Sequence, residues 1–345
     1  MGPMRLGLFV PQGWRLDLVG IDPEQHWQVM HEVAAHADRG EVWESVWVYD
    51  HFHTVPRPTD EATHEAWALM AALAATTQRV RLGQMCTCVA YRNPAYLAKV
   101  AATVDVISGG RLEMGIGAGW YEKEWRAYGY GFPDAPARLR HLKEALPVLQ
   151  SLWTTGRSGT FDGEFVQVDD AICAPRPLQG TSRPGSPRNG IPTWVAGGGE
   201  KVTLKLVAQY ADYANFDGTR ATFEHKSEVL RGHCERLGRD FDDITRTADY
   251  NVVIGRDAAE VEERLAAFKA RLIAGGIWEE RAERETESLR RQPVTGTPEQ
   301  VLEYLTGMGE VGLRYAILYF PEAAFDRSGI ELFERHVAPE LARLR

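Results

Sequence analysis

Arg111-Leu112-Glu113-Met114-Gly115-Ile116-Gly117-Ala118-Gly119-Trp120 is the stretch on which the fold turns. It is a near-continuous apolar run that leaves through three spaced glycines into an aromatic residue. Pro94–Ile107 precedes it with helical spacing, proline in its first turn and Ser108-Gly109-Gly110 beyond its end. A strand that is apolar at almost every position is buried on both faces, as strands of parallel sheets are. The local unit is therefore helix, turn, buried strand, glycine-rich exit.

The same rhythm runs outward in both directions. Strands are predicted at 5–11, 45–49, 80–88, 111–118, 192–196, 212–216, 245–254 and 313–320. Helices are predicted at 24–39, 65–77, 94–107, 137–153, 201–210, 222–237, 258–274 and 331–344. A further helix through 302–308 opens on Thr297-Pro298-Glu299-Gln300, which resembles a capping box with proline at N1. Eight strands alternating with helices define the α/β class. At 345 residues they favour closure into a (β/α)8 TIM barrel over a doubly wound sheet. The reading is one domain, 1–345, with two insertions. The first spans about 155–191, a hairpin turning at Asp162-Gly163 followed by a proline- and glycine-rich loop. The second spans about 275–295, a charged helix with Glu287 and Arg291 at i,i+4 spacing.

Composition narrows the function classes. The chain is 44% hydrophobic and 25% charged, as soluble enzymes are, and its net charge of −9 lacks the basic field of a general nucleic-acid or membrane-surface binder. No signal peptide or long apolar span is read, so a cytoplasmic enzyme is expected. Met1-Gly2-Pro3-Met4 reads as a short leader or alternative start, and Leu6 lacks the hydroxyl that myristoylation of Gly2 needs. Cys86 and Cys88, with no second pair at ligand spacing, read as buried small residues.

In such barrels chemistry sits at the C-terminal strand ends. The second strand leaves into Tyr49-Asp50-His51-Phe52-His53, three ionisable groups in four residues. His51 suits general acid/base work because its charge changes near neutral pH. The His51-x-His53 spacing also fits a metal-dependent hydrolase, but no histidine follows at Gly197, Asp217 or Pro321-Glu322, and no metal is expected. Gly117 and its neighbours allow a ligand to approach the backbone, Trp120 offers an aromatic face, and Glu124 is a further candidate acid/base. Gly197-Gly198-Gly199 at a strand-to-helix junction presents N–H groups to an anion, most naturally a phosphate.

Taken in order, Val46-Trp47-Val48-Tyr49-Asp50-His51-Phe52, Val80-Arg81-Leu82-Gly83 through Arg92-Asn93-Pro94, Asp105-Val106-Ile107-Ser108-Gly109-Gly110-Arg111-Leu112, Gly115 through Trp120 with Glu124, Ala174-Pro175-Arg176-Pro177 and Ile191 through Gly199 resemble the luciferase-like monooxygenase superfamily, in its branch that uses the deazaflavin coenzyme F420. The resemblance implies a hydride-transferring oxidoreductase with F420 as cofactor and FMN as the alternative. It implies a phosphate near Gly197–Gly199 and a non-prolyl cis peptide behind the cofactor ring, by position Met85–Cys86. It implies His51 as the group acting on the substrate, with Asp50 beside it. Homodimers are common in the family. In its sugar-phosphate dehydrogenases an acidic residue follows the fourth strand; Trp120 stands there in this chain, which argues against a sugar-phosphate substrate. Reduction of a C=C, C=N or C=O bond of a small molecule is the expected reaction, and an FMN-dependent monooxygenase is the rival.

Overall fold

The computed structural model describes residues 3–180 and 190–344; residues 181–189, in the middle of the proline- and glycine-rich stretch, and Met1-Gly2 lie outside the described residues. The chain has the (β/α)8-barrel fold, and all eight strands expected from the sequence are present. It divides into two compact units, one of 1–65 with 247–345 and one of 66–246.

The first unit holds β1 (Arg5–Phe9), β2 (Ser45–Val48), all but the first two residues of β7 (Thr245–Asn251), and β8 (Tyr315–Tyr319). All pair in parallel, in the order β2-β1-β8-β7, with Gly7 opposite Ser45, Arg5 opposite Tyr315 and Thr247 opposite Tyr315. The second unit holds β3 (Arg81–Gln84), β4 (Leu112–Gly117), β5 (Thr193–Ala196) and β6 (Tyr213–Asn215). These are also parallel, with Leu82 opposite Leu112, Gly115 opposite Trp194 and Val195 opposite Ala214.

Helices surround the strands. In chain order they are α1 (Pro23–Arg39), α2 (Ala66–Thr76), α3 (Pro94–Ile107), α4 (Glu122–Ala127), α5 (Ala135–Thr155), α6 (Thr203–Tyr210), α7 (Arg220–Leu237), α8 (Ala258–Ala274), α9 (Glu279–Arg290), α10 (Pro298–Glu310), α11 (Ser328–His336) and α12 (Ala338–Ala342). The start signals act as the sequence suggests. The Asn93 side chain accepts from Ala95 N and Tyr96 N ahead of α3, and the capping box at Thr297 and Gln300 opens α10. The hairpin forms as Thr160–Asp162 against Gln167–Asp169, and the charged run forms α9.

The motif between α3 and β4 is a lock rather than a site. Asp105, fully buried, accepts from Gln179 Nε2 at 2.7 Å, and burial raises its carboxyl above the ordinary range. Gly109 and Gly110 take φ of +70° and +87°, a conformation open to glycine, and so turn the chain from helix into strand.

Several boundaries differ from expectation. The third strand is not continuous: it breaks at Met85-Cys86 and resumes as Thr87–Cys88 against the end of β4. The seventh stops at Asn251, and Val253–Ile254 pairs instead with Thr295–Gly296. The helix expected from 201 begins at Thr203, because no side chain at its start supplies a cap. The closing helix is two, α11 and α12, since Pro339 lacks an N–H and occupies the first turn of a new helix.

Candidate active site

The second unit carries Met85, Cys86, Gly117, Trp120 and Gly197–Gly199, the residues expected to meet a cofactor. The Met85–Cys86 peptide is cis, as the resemblance implies. Its sulfur packs against the exit of β4: a Cβ at Gly117 would lie 2.6 Å from Cys86 Sγ, and one at Gly119 2.6 Å from Cys88 Sγ and 2.8 Å from Trp125 Cζ2. The glycines that the sequence offered for ligand approach are thus demanded first by the protein's own sulfurs and indole. Neither cysteine is in a disulfide.

Past this exit the chain turns into α4. Glu124 is fully buried and accepts from Tyr91 Oη at 2.8 Å, while Tyr130 Oη donates to Tyr91 O at 3.0 Å. Burial, with the nearby Glu124 charge, pushes the Tyr121 hydroxyl up to about 12. Trp120 is 60% exposed and stacks on Tyr121 with centroids 5.2 Å apart. It presents a flat apolar surface just past the exit of β4.

After β5, Gly197 takes φ of +116°, and a Cβ at Gly199 would lie 2.8 Å from Thr203 Oγ1. The turn is therefore tight and needs glycine at both positions. The Lys226 stem runs past Gly198, and its ammonium lies 2.6 Å from Glu200, which His225 also reaches at 2.9 Å. Backbone N–H groups and one cation together suit an anionic group.

The first unit carries the proton-handling candidates. Asp50 is buried and His51 half-buried, just past the end of β2. The His51 ring lies flat on Trp14, centroids 4.2 Å apart and planes 3° apart. Tyr49 stacks on Phe9 at 4.3 Å. Burial drives the Tyr49 hydroxyl far above its ordinary range, so it stays protonated. Among the described residues no group of three or more His, Cys, Asp or Glu side chains could hold a metal ion.

The profile of the luciferase-like monooxygenase family matches residues 4–314. The chain belongs to the luciferase-like monooxygenase family. Among its relatives is an F420-dependent glucose-6-phosphate dehydrogenase of Amycolatopsis mediterranei (strain U-32), 27% identical over 87% of this chain and 91% of that one. A pyrimidine monooxygenase RutA of Stutzerimonas stutzeri (strain A1501) is 32% identical over 51% of this chain and 47% of its own. Among solved structures, an F420-dependent secondary alcohol dehydrogenase in complex with an F420–acetone adduct covers both chains fully, with a TM-score of 0.76 at 20% identity. The EDTA monooxygenase of Chelativorans sp. BNC1 covers 98% of this chain and 93% of its own, with a TM-score of 0.77 at 17% identity. This luciferase-like enzyme is an oxidoreductase with relatives in both the F420-dependent and the monooxygenase branches. No described helix is long and apolar enough to cross a membrane.

One group of the family member's first unit escaped sequence reasoning. Gln12-Gly13-Trp14-Arg15-Leu16-Asp17, after β1, supplies the plate under His51 and a buried cation. An aromatic and an arginine directly past a strand end were the available signal. A second surprise follows β8. Burial pushes the Glu322 carboxyl up to about 7, opposed by Arg264, whose Nη1 lies 3.2 Å away. The folded state then holds this proton more tightly than the unfolded chain does. Stability therefore falls as pH rises from the ordinary glutamate range to about 7. Thermal melts between pH 5 and pH 8 should show a steeper loss for wild type than for Glu322→Gln; parallel curves would rule this out.

Proposed function

We propose that this enzyme is an F420-dependent oxidoreductase that reduces a C=C, C=N or C=O bond of a small organic substrate in the cytoplasm. We take 1–345 as one catalytic domain, with 155–191 and 275–295 as its insertions. The observation that carries the cofactor assignment is coverage: the F420-dependent dehydrogenase aligns over 91% of its length, whereas the pyrimidine monooxygenase aligns over 47%.

The residues fit the group. Met85 and Cys86, with Gly117 against the Cys86 sulfur, form a rigid backing for a flat ring, and Trp120 adds an exposed aromatic face. Gly197, Gly198 and Gly199 would hold the phosphate. The bound cofactor would supply or accept the hydride. His51 stands just past the C-terminal end of β2, the end of a barrel strand that carries chemistry. An imidazole nitrogen of His51 delivers or takes the substrate proton, with Asp50 beside it. Glu124, buried and bonded to Tyr91, holds the loop that presents Trp120 and stands by as a second acid. Trp120 has no group that titrates near neutral pH and cannot act as an acid at that edge, which argues against a sugar-phosphate substrate.

Fluorescence titration with F420 and with FMN separately, then turnover with each reduced cofactor while oxygen is monitored, tests the reading. Binding of F420 and oxygen-independent oxidation of F420H2 are expected. Stoichiometric oxygen uptake with FMNH2, and none of this chemistry with F420H2, would place the enzyme in the monooxygenase branch instead. Gly198→Asp puts a negative charge into the turn, where a Cβ meets the Lys226 stem at 3.4 Å and Phe216 Cβ at 3.9 Å. It should weaken F420 at least tenfold, about 1.4 kcal/mol, at an unchanged melting temperature. Equal affinity in this variant would remove the phosphate from Gly197–Gly199.

A further inference from the structure

The turn after β1 is built with unusual rigidity for a loop. Gly13 takes φ of +96°, and a Cβ there would collide with the Ala62 carbonyl. Gly13 N donates to Asp17 Oδ1 at 2.6 Å, and Leu16 N to Gly13 O at 2.8 Å. Tyr319 Oη donates to Asp17 Oδ2 at 3.0 Å, tying the turn to β8, and Val55 N donates to Trp14 O at 2.9 Å, tying it to the segment after β2. The Arg15 guanidinium lies 4.9, 5.1 and 4.8 Å from the ring centres of Trp14, Tyr49 and Tyr319, and its Nη1 donates to Asn251 Oδ1 at 2.8 Å. Contacts from β7, β8 and the segment after β2 thus converge on the 13–17 turn that carries the indole. Trp14 is 7% exposed, and its ring is parallel to His51 within 3°.

An imidazole rotates in a broad, two-fold χ2 well and has no intrinsic preference for one plane. A general acid or base must nevertheless point its nitrogen within about 10–20° of the productive line. We propose that Trp14 is a positioning residue: the indole, clamped by the 13–17 turn and by Arg15, fixes the plane of the His51 ring and so the line along which its nitrogen moves a proton. The proposal rests on His51 carrying the substrate proton, as assigned above. It adds that the orientation comes from an aromatic plate after β1, in addition to whatever bonds the ring edge makes.

The test has two arms. In histidine-labelled protein without cofactor, NMR should show the His51 ring protons displaced upfield by the indole, in a single orientation with cross-relaxation to Trp14. Trp14→Ala should erase both signs while leaving the resonances of His26 and His64, a separate pair 3.1 Å apart, in place. Trp14→Leu fills the volume without a flat face and covers the case in which the alanine variant fails to fold. In turnover of F420H2 with cyclohex-2-enone, Trp14→Ala or Trp14→Leu should lower kcat about tenfold, with KM changed less than twofold. Trp14→Phe, which restores a plate, should recover kcat to within about threefold. His51 resonances that stay put in Trp14→Leu, or an unchanged kcat, overturn the proposal. If His51→Gln itself turned over normally, the assignment of His51 would fail, and the NMR arm would still report separately on the stack.

Discussion

His51→Gln is expected to lower kcat by about 100- to 10,000-fold, the span typical of losing a positioned general acid or base. Glutamine is the informative replacement because it keeps a polar side chain of similar reach that cannot titrate. The ring it replaces is half-buried just past the end of β2 and lies flat on Trp14, so some packing is lost as well. That loss should appear in the melting temperature and not in the rate. The proposed cofactor residues are Met85, Cys86, Gly117 and the triple glycine, none of which is altered by the substitution, so the F420 dissociation constant should move less than twofold. The measurement is single-turnover stopped flow of F420H2 oxidation at saturating cofactor, which separates the transfer step from product release. A variant that binds F420 as wild type and turns over within twofold of it would leave His51 a structural histidine. The proton would then have to be sought at Asp50 or Glu124.

The sequence spoke clearly where local rules coincide with the fold. Near-continuous apolar runs, glycine pairs after α3 and the capping box of α10 are local signals, and each landed within a few residues of the element it specifies. His51 drew attention for the same reason, as part of an ionisable cluster directly past a buried strand, and the substitution above tests its role. The reasons for the glycines were not legible. Gly117 and Gly119 looked like room for a ligand, yet sulfurs from Cys86 and Cys88 claim that space, and only the register of Thr87–Cys88 against β4 reveals it. Trp14 was silent because its role depends on three strands distant in sequence meeting at one turn. Glu322 was silent because nothing in Pro321-Glu322 announces burial deep enough to raise a carboxyl to about 7. The split of the closing helix, by contrast, was written in Pro339 and could have been read.

Arg111→Met is expected to destabilise the protein by about 3–5 kcal/mol without touching the chemistry. Arg111 belongs to the motif that helped to suggest the family, and proximity in sequence to Gly117 invites a catalytic reading. The structure puts it at the opposite end of β4, where its side chain is fully committed. Nη1 donates to Thr77 Oγ1 at 2.9 Å and Val80 O at 2.6 Å, Nη2 to Ala74 O at 2.9 Å and Thr77 O at 2.8 Å, and Nε to Ser108 O at 2.6 Å. All five guanidinium N–H groups are thereby used. Most of their acceptors are carbonyls around the C-terminus of α2, which has no partner of its own for them and whose dipole favours a cation. Methionine fills the volume but leaves those carbonyls half-buried and unpaired. Lysine, with a point charge in place of a planar fork, can satisfy only some of them, so Arg111→Lys should lose roughly half as much. For a unit of this size the methionine variant should melt roughly 10 °C lower. Its kcat per folded molecule should stay within twofold, because Arg111 lies at the end of β4 remote from the exit proposed to meet the cofactor. Equal melting temperatures for wild type and Arg111→Met would show the clamp to be idle. A collapse of kcat in fully folded protein would mean that the N-terminal end of β4 reaches the chemistry after all.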